Sequence, residues 1–349
     1  AFPGAHGRTL LATAGRDGRV RVWDLAQGST QAVLSDPADQ VHAVAAFPGP
    51  DGRTLLATAG DHRVRIWDVA DGTEQAVLIG HTDRVYAVAA FPGPDGRTLL
   101  ASGGTDGTVW IWDVTDGTIK AILAGTSHVG AAVAAFPGPD GRTLLATAGR
   151  DDTVRIWDPA EGTTQAVLTG HYDSVLSMAV FPGPDGRTLL ATGSADHTVR
   201  IWDVANGTTI TDLGYHGGWV VALAAFPGPD GQPLLAAGNT SGTVRVWDPV
   251  RGGIRALLHG HTSWVHAMAA FTGPDGRTLL ATGGHDHTMR IWDPADGTPI
   301  LRVVTAAAVT AIATTAPPLM SPAGGPPHPD APRILVIGGS AGLAVFDLM

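Results

Sequence analysis

The sequence predicts an all-β protein of the β-propeller class, in which four-stranded antiparallel sheets pack around an axis as blades. Two observations lead to this prediction. A Trp-Asp dipeptide returns at an almost constant interval, and each interval contains four short strand-like segments separated by turn residues. A fixed period of this size is typical of an array built from one supersecondary unit. The 3.6-residue spacing of amphipathic helices is absent.

The Trp-Asp dipeptide sets the period of the chain. The first step between copies is 44 residues and each of the next five is 45 residues. The intact dipeptides begin at Trp23, Trp67, Trp112, Trp157, Trp202, Trp247 and Trp292. An eighth, degenerate copy follows, with Phe346 and Asp347 in place of the dipeptide. The sequence therefore contains eight copies of the unit.

The third copy illustrates how one period divides into strands. Residues 85–91, 98–102, 108–113 and 119–123 are short runs rich in β-branched and apolar residues, and each predicts a strand. The Pro-Gly-Pro-Asp-Gly-Arg segment at 92–97 predicts a turn, because Pro fixes φ and Gly permits positive φ. The second strand is apolar almost throughout, as expected of a strand covered on both faces. Short strands joined by hairpin turns predict a small antiparallel sheet.

Such a sheet has two apolar faces, and neighbouring copies must cover both. Radial packing does this and makes each sheet a blade, with the Ala-rich first strand at the crowded centre. We expect eight blades, the first without its inner strand and the last without its outer strand. The alternative is seven blades, with the strand near Val309 added to the N-terminal sheet.

The domain organisation follows from the same repeat. Residues 1–349 are expected to form one propeller domain. The Pro-rich segment 316–332 predicts an irregular loop inserted into the last copy, since Pro cannot donate a backbone hydrogen bond. Because the sequence starts with Ala1 rather than Met, we expect a fragment of a longer protein.

The composition argues against several classes of function. The formal net charge is −10 and Lys120 is the only lysine, whereas proteins that track phosphates carry clustered Lys and Arg. The chain has no Cys, which excludes disulfides and Cys-ligated zinc. No apolar run approaches the roughly 18 residues of a membrane-spanning helix. We therefore expect no nucleic-acid or membrane partner and a cytoplasmic location.

Several residues of each copy resemble the signature of WD40 repeats. In the third copy these are Gly80-His81, Ser102, Asp106 and Trp112-Asp113. The resemblance implies a propeller in which Asp, His, Ser or Thr, and Trp form a structural hydrogen-bonded tetrad. Three copies carry the complete set. The sets are His81, Ser102, Asp106 and Trp112; His171, Thr192, Asp196 and Trp202; and His261, Thr282, Asp286 and Trp292.

Other copies depart from the signature. Pro37 and Thr126 occupy the His position of the second and fourth copies. The sixth copy keeps His216, but Ala237 and Ser241 replace the hydroxyl and the carboxylate. We expect these blades to be less rigid, because each charge-assisted buried bond contributes about 1.5–3 kcal/mol.

The His, Asp and Ser or Thr groups also resemble catalytic triads, but a set repeated in several blades favours a structural role. The G-x-S-x-G motif at 338–342 falls in a strand-to-strand turn, where a hydrolase would need a strand-to-helix turn. His285 and His287 flank Asp286, which the tetrad already uses, and this favours a solvated loop over a metal site. We expect no catalytic residues, no cofactor and no metal.

The positions that break the repeat are the candidates for binding. In WD40 proteins the face with the fourth-to-first-strand and second-to-third-strand loops is the usual partner surface. Trp, Tyr and Arg are common at binding hot spots. The candidate residues are His42, Arg84, Tyr86, Arg150, Trp219, Trp264, His266 and His285. Arg16 is a further loop residue on the same face.

The Arg of each Pro-Asp-Gly-Arg turn is identical from copy to copy, and this favours a role in turn structure over recognition. The favoured function is a non-catalytic scaffold that binds peptides or protein domains. The resemblance also suggests a fused kinase, protease or NTPase domain outside the chain. The alternative is a sensor that holds a sugar or another small molecule in its central channel and regulates such a domain.

Overall fold

The computed structural model describes residues 41–124, 129–272 and 277–304, except 50, 52 and 139, together with seven strands near the chain ends. Those end strands cover residues 2–3, 9–14, 19–24, 29–35, 309–314, 334–339 and 342–347. Within these residues every regular element is a β-strand, and the strands form seven four-stranded sheets and one three-stranded sheet. The chain is therefore all-β, as predicted.

The sheets are numbered in chain order, and in each the strands lie side by side in sequence order. Sheet 1 contains β1 (Phe2–Pro3), β2 (Thr9–Ala14), β3 (Arg19–Asp24) and β4 (Ser29–Ser35). Sheet 2 contains β5 (Ala43–Pro48), β6 (Thr54–Ala59), β7 (Arg63–Asp68) and β8 (Glu74–Ile79). Sheet 3 contains β9 (Val85–Pro92), β10 (Thr98–Gly104), β11 (Thr108–Asp113) and β12 (Ile119–Ala124). Sheet 4 contains β13 (Val129–Pro137), β14 (Thr143–Gly149), β15 (Val154–Asp158) and β16 (Thr163–Leu168).

The second half of the chain repeats this arrangement. Sheet 5 contains β17 (Val175–Pro182), β18 (Thr188–Ser194), β19 (Thr198–Asp203) and β20 (Thr208–Tyr215). Sheet 6 contains β21 (Val220–Pro227), β22 (Pro233–Asn239), β23 (Val244–Trp247) and β24 (Ile254–Leu258). Sheet 7 contains β25 (Val265–Thr272), β26 (Thr278–Gly284), β27 (Thr288–Asp293) and β28 (Thr298–Val304). Sheet 8 contains β29 (Val309–Thr314), β30 (Ile334–Gly339) and β31 (Gly342–Asp347).

The strand register places two sets of loops on opposite faces of the molecule. In sheet 3, Gly104 lies beside Val85 at one end, and Leu99 lies beside Phe91 and Asp113 at the other. The loops at the Val85 end vary between copies, and we call this side the variable face. The Pro-Asp-Gly-Arg turns follow the Phe91 end, and we call this side the turn face. A side chain at one end of a strand therefore belongs to one face only.

The core lies between neighbouring sheets. One cluster joins Leu55 and Ile66 of sheet 2 to Leu100 and Trp112 of sheet 3. Equivalent clusters join sheets 3 and 4, 4 and 5, 5 and 6, and 6 and 7. Fully burying a large apolar side chain contributes about 1.5–3 kcal/mol. Each sheet is therefore stabilised mainly by its neighbours, as expected of repeat architectures.

From sheet 2 to sheet 8 the first strands of successive sheets contact one another. Sheet 1 meets its neighbours through β2, which contacts β5 of sheet 2 and β29 and β30 of sheet 8. The strand near Val309 is hydrogen-bonded to β30. One expectation was wrong, because sheet 1 has an inner strand. Its remnant, Phe2–Pro3, pairs with Leu10 and Thr9, since two residues suffice to extend the ladder. The Pro-rich segment 316–332 lies outside the described residues.

Candidate functional site

The three complete signature sets each form a hydrogen-bonded chain. In sheet 5, His171 Nδ1 lies 2.7 Å from Asp196 and Nε2 lies 2.8 Å from the Thr192 hydroxyl. Trp202 Nε1 donates to the same hydroxyl at 2.8 Å. The sets in sheets 3 and 7 have the same order of partners at 2.8–2.9 Å. The geometry thus brings together all twelve predicted tetrad residues as three separate sets.

Burial and hydrogen bonding set the charges in these chains. Burial lowers the pKa of His171 and of His261, against the pull of Asp196 and Asp286. Burial would raise the pKa of Asp196, but bonds from the Tyr172 amide, the Thr198 hydroxyl and His171 lower it to about 2. A neutral imidazole beside a carboxylate donates through Nδ1 and accepts through Nε2. The hydroxyl then donates to His and accepts from Trp, which satisfies every member.

In this arrangement the Ser or Thr hydroxyl of each set is closed to solvent. Ser102, Thr192 and Thr282 are 0% exposed. A nucleophile needs space next to its oxygen for a reacting carbon. Asp286 is held by His261, the Thr262 amide and Thr288. These contacts support the structural interpretation of the sets, including the one beside His285 and His287.

Two of the departing sheets keep part of the chain. Trp67 donates to Thr58 at 3.0 Å, and Trp157 donates to Thr147 at 2.9 Å. Without a His partner, the signature Asp of sheet 4 pairs with Arg155 at 2.6 Å. The positions of Pro37 and Thr126 lie outside the described residues.

Sheet 6 departs further. Both ring nitrogens of His216 and Nε1 of Trp247 are buried without a hydrogen-bond partner among the described protein atoms. The rings lie 5.3 Å apart between centroids. Burial, with a smaller contribution from Arg245, lowers the pKa of His216 to about 4. The sheet therefore holds a buried neutral imidazole whose ring nitrogens have no hydrogen-bond partner among the described protein atoms.

A repeated backbone contact positions the candidate residues of the variable face. In sheets 3, 5, 6 and 7 the residue before the first strand accepts a hydrogen bond, through its carbonyl, from a residue of the second-to-third-strand loop. The amides of Thr105, Ala195, Thr240 and His285 donate to Arg84, Ser174, Trp219 and Trp264 respectively, at 2.8–3.0 Å. The backbone is thus common to these sheets, and only the side chains differ. Arg16 lies outside the described residues.

Four of the predicted binding residues form one aromatic cluster across sheets 6 and 7. Trp219 and Trp264 are 45% and 38% exposed and meet edge to face at 6.0 Å. Trp264 stacks on His285 at 5.7 Å with an interplanar angle of 6°. His266 lies 5.3 Å from Trp264 and 4.4 Å from His285. We call these four residues the aromatic cluster.

The other predicted residues lie across sheets 2, 3 and 4. His42 contacts Tyr86 with 4.4 Å between ring centroids. Hydrogen bonding to Tyr86 raises the pKa of Arg84, which also lies 3.7 Å from Asp61. Arg84, Tyr86 and Arg150 border one polar hollow of about 530 Å³. We call His42, Arg84, Tyr86 and Arg150 the charged cluster.

Sequence reasoning missed four residues that line the same hollow, namely Asp61, His62, Asp83 and Thr105. A signal for Asp61 existed. Its copy has Pro37 where the His should be, so this carboxylate has no tetrad to join. Instead it lies 3.8 Å from His42 and 3.7 Å from Arg84.

On the turn face, the repeated Arg binds the Asp of the Trp-Asp dipeptide. Burial would raise the pKa of Asp113, but the Thr115 amide, Lys120 and Arg97 hold it at about 2. The five Arg–Asp bonds measure 2.5–3.2 Å and join Arg53 to Asp68, Arg97 to Asp113, Arg142 to Asp158, Arg187 to Asp203 and Arg277 to Asp293. These contacts support the structural role expected of the turn arginines.

Seven consecutive segments of the chain match the family model described as WD domain, G-beta repeat. The segments are 5–24, 28–68, 72–113, 116–158, 162–203, 207–248 and 252–293. The chain belongs to the WD40 family. In this WD40 protein the sequence repeat and the sheet are offset by one strand. Segment 72–113, for example, includes β8 of sheet 2 and ends with β11 of sheet 3.

The chain was also compared with solved structures and with curated proteins. The chain is similar to the crystal structure of the computationally designed Ika8 protein, with a TM-score of 0.75 and 23% sequence identity. The match covers 98% of this chain and 94% of that chain, so it supports the β-propeller fold. No curated protein matches the chain. The residues described contain no helix with the length and hydropathy needed to span a membrane.

Proposed function

We propose that this WD40 protein is a non-catalytic scaffold whose variable face binds a peptide or a protein domain. WD40 repeats generally mediate protein–protein interactions. The observation that supports the proposal is the distribution of side chains on the variable face. That face presents an aromatic cluster on sheets 6 and 7 and a charged cluster on sheets 2 to 4. Exposed Trp, Tyr and Arg in groups are typical of binding hot spots.

The proposed architecture is a single domain, 1–349, with eight blades in a closed ring. The contacts of β2 with β29 and β30 support closure between sheets 1 and 8. A closed ring has no long unpaired edge at its centre and offers a rigid surface. On such a surface the two clusters could bind two parts of one partner, or two partners at once.

The proposed partners are proteins and not nucleic acids, because the net charge is −10 and the chain has one lysine. The absence of Cys suits a cytoplasmic location. In a longer protein, a kinase, protease or NTPase domain would be the effector that such a scaffold serves.

The test is affinity capture with variants that separate the clusters. Trp219→Ala with Trp264→Ala removes the exposed aromatic pair, and Arg84→Ala with Arg150→Ala removes two cations of the charged cluster. Ile119→Ala is the matched control, since Ile119 is 47% exposed and lies beside Trp112 at the turn-face end of the outer strand of sheet 3, away from both clusters. Thermal melting first establishes that all three variants are folded.

Each bait is incubated with lysate of the source organism, and retained proteins are quantified by mass spectrometry. We expect at least one protein to be retained by wild type and Ile119→Ala and lost from one of the face variants. Identical recovery on all baits, or no specific recovery, would contradict the proposal.

A further inference from the structure

The turn face contains an apolar pocket that the scaffold function does not use. It has a volume of about 330 Å³ and spans sheets 4, 5 and 6. Its floor and walls include Val180, Phe181, Phe226 and four prolines, and none of its described lining residues is charged. The prolines are Pro137, Pro182, Pro227 and Pro233.

Two other grooves on the turn face provide internal comparisons. The groove between sheets 4 and 5 is lined by Asp185 and Arg187. The groove between sheets 2 and 3 is lined by Asp95 and Arg97. Both therefore present ionised groups to solvent, whereas the pocket of sheets 4 to 6 presents rings, methyl groups and glycine backbone.

The pocket coincides with a break in the repeat. Where other turns carry Arg-Thr, sheet 6 carries Gln232-Pro233. The dipeptide carboxylate of this sheet pairs instead with Arg251 and Arg255, at 3.4 and 3.1 Å. The cation that lines the other grooves is thus absent from the turn of sheet 6.

The same break removes a hydrogen bond between sheets. At three junctions the Thr hydroxyl that follows the turn Arg donates to a proline carbonyl of the preceding sheet at 3.2 Å. The Thr188 hydroxyl, for example, donates to Pro137. Pro233 stands at this position in sheet 6 and has no donor. The Pro182 carbonyl, at the equivalent place in sheet 5, therefore has no such hydroxyl donor, and Pro182 is one of the residues that line the pocket. In addition, Val180 stands where the first strands of sheets 2, 3, 4, 6 and 7 carry Ala, so its methyl groups extend the apolar wall.

We propose that this pocket binds a small, uncharged aromatic molecule that carries one N–H or O–H donor. The volume lies at the lower end of the roughly 300–1,000 Å³ typical of ligand pockets. Transfer of a charged ligand into this lining would cost desolvation energy with no counter-charge to offset it. Proline rings and glycine backbone offer flat surfaces to an aromatic ring, and the Pro182 carbonyl supplies one acceptor.

The test uses the neutral fluorescent amine N-phenyl-1-naphthylamine, whose emission rises in an apolar site and which has a single N–H. The main variant is Gln232→Arg with Pro233→Thr, which restores the residues of the other turns. The second variant, Val180→Ala, restores the alanine of the other repeats and decides the outcome should the first not fold. Trp219→Ala with Trp264→Ala is the control, because the aromatic cluster is a competing apolar surface on the other face.

We expect saturable binding of one probe per chain by wild type and by the control. Affinity should fall at least tenfold in Gln232→Arg with Pro233→Thr and several-fold in Val180→Ala. Circular dichroism and melting curves establish that each variant is folded. Non-saturable emission with wild type, equal affinity in wild type and the folded pocket variants, or loss of binding in the control would each overturn the proposal. Loss of protein capture by the face variants leaves this result unaffected, because the two sites lie on opposite faces.

Discussion

Sheet 6 contains two members of a tetrad without the groups that would join them. His216 is 1% exposed and Trp247 is 6% exposed. Ala237 lies on β22, which pairs with β21 on one side and β23 on the other. It occupies the register of Thr192 in sheet 5, because Ala237 lies opposite Arg245 as Thr192 lies opposite Arg200. We predict that Ala237→Thr stabilises the protein, because its hydroxyl would reach both His216 and Trp247.

The magnitude follows from the two hydrogen bonds that the hydroxyl would add. In the complete sheets these bonds measure 2.8 Å. A buried hydrogen bond contributes about 0.5–1.5 kcal/mol net, so the pair should add about 1–3 kcal/mol to the free energy of unfolding. For a chain of this length the unfolding entropy is about 0.7 kcal/mol/K, so the melting temperature should rise by roughly 1–4 °C.

The assay is equilibrium unfolding in urea, followed by tryptophan fluorescence and by far-UV circular dichroism. Ala237→Val is the matched control, since Val has the shape of Thr but no hydroxyl. Adding Ser241→Asp to Ala237→Thr should raise stability further, because the carboxylate would accept from Nδ1 of His216. The reasoning is refuted if Ala237→Thr is no more stable than Ala237→Val, since shape alone would then explain any gain.

Three further predictions concern the tetrads and the imidazole of sheet 6. Burial holds the pKa of His216 at about 4, below its unfolded value of about 6.5, so the unfolded chain binds more protons between these values. Stability should therefore fall as the pH drops from about 6.5 to about 4, by on the order of 3 kcal/mol from this group, as measured by urea unfolding across that range. The same fall should be smaller in Ala237→Thr with Ser241→Asp, where a carboxylate beside His216 favours its protonated form. Thr192→Val should cost about 2–5 kcal/mol in urea unfolding, because it leaves buried Nε2 of His171 and buried Nε1 of Trp202 without a partner. A loss no larger than that of Ala237→Val would contradict this estimate.

The fold could be predicted because its determinants are local and repeated. In the third copy the predicted strands at 85–91, 98–102, 108–113 and 119–123 agree with β9 to β12 to within two residues at each end. Pro and Gly set the turns, and the alternation of apolar residues fixes which strands are covered. The remnant strand at Phe2–Pro3 was missed because a two-residue pairing depends on the neighbouring strand and not on its own composition.

The candidate site was predictable only in its membership. The sequence indicates that Trp219, Trp264 and His285 break the repeat, but it contains no information on the 6° stacking of His285 on Trp264. That contact depends on how sheets 6 and 7 pack. The hollow beside Arg84 was missed for a related reason. Its lining residues come from the successive sheets 2, 3 and 4 and extend from Asp61 to Arg150 in the sequence.

Among sheets 2 to 7, sheet 6 combines departures that the others show singly or not at all. It lacks the tetrad hydroxyl and carboxylate, lacks the Arg-Thr of the turn, and supplies both Trp219 on one face and Pro233 on the other. A repeat that only had to hold the ring together would gain stability by keeping these groups. Residues that break local rules without a structural gain tend to mark functional positions. Restoring Ala237→Thr and Ser241→Asp should therefore strengthen the ring and leave both binding surfaces intact, whereas restoring Gln232→Arg with Pro233→Thr should abolish the pocket. A sheet 6 in which all four changes stabilise the protein and none alters binding would mean that these departures are neutral drift in an otherwise symmetric repeat.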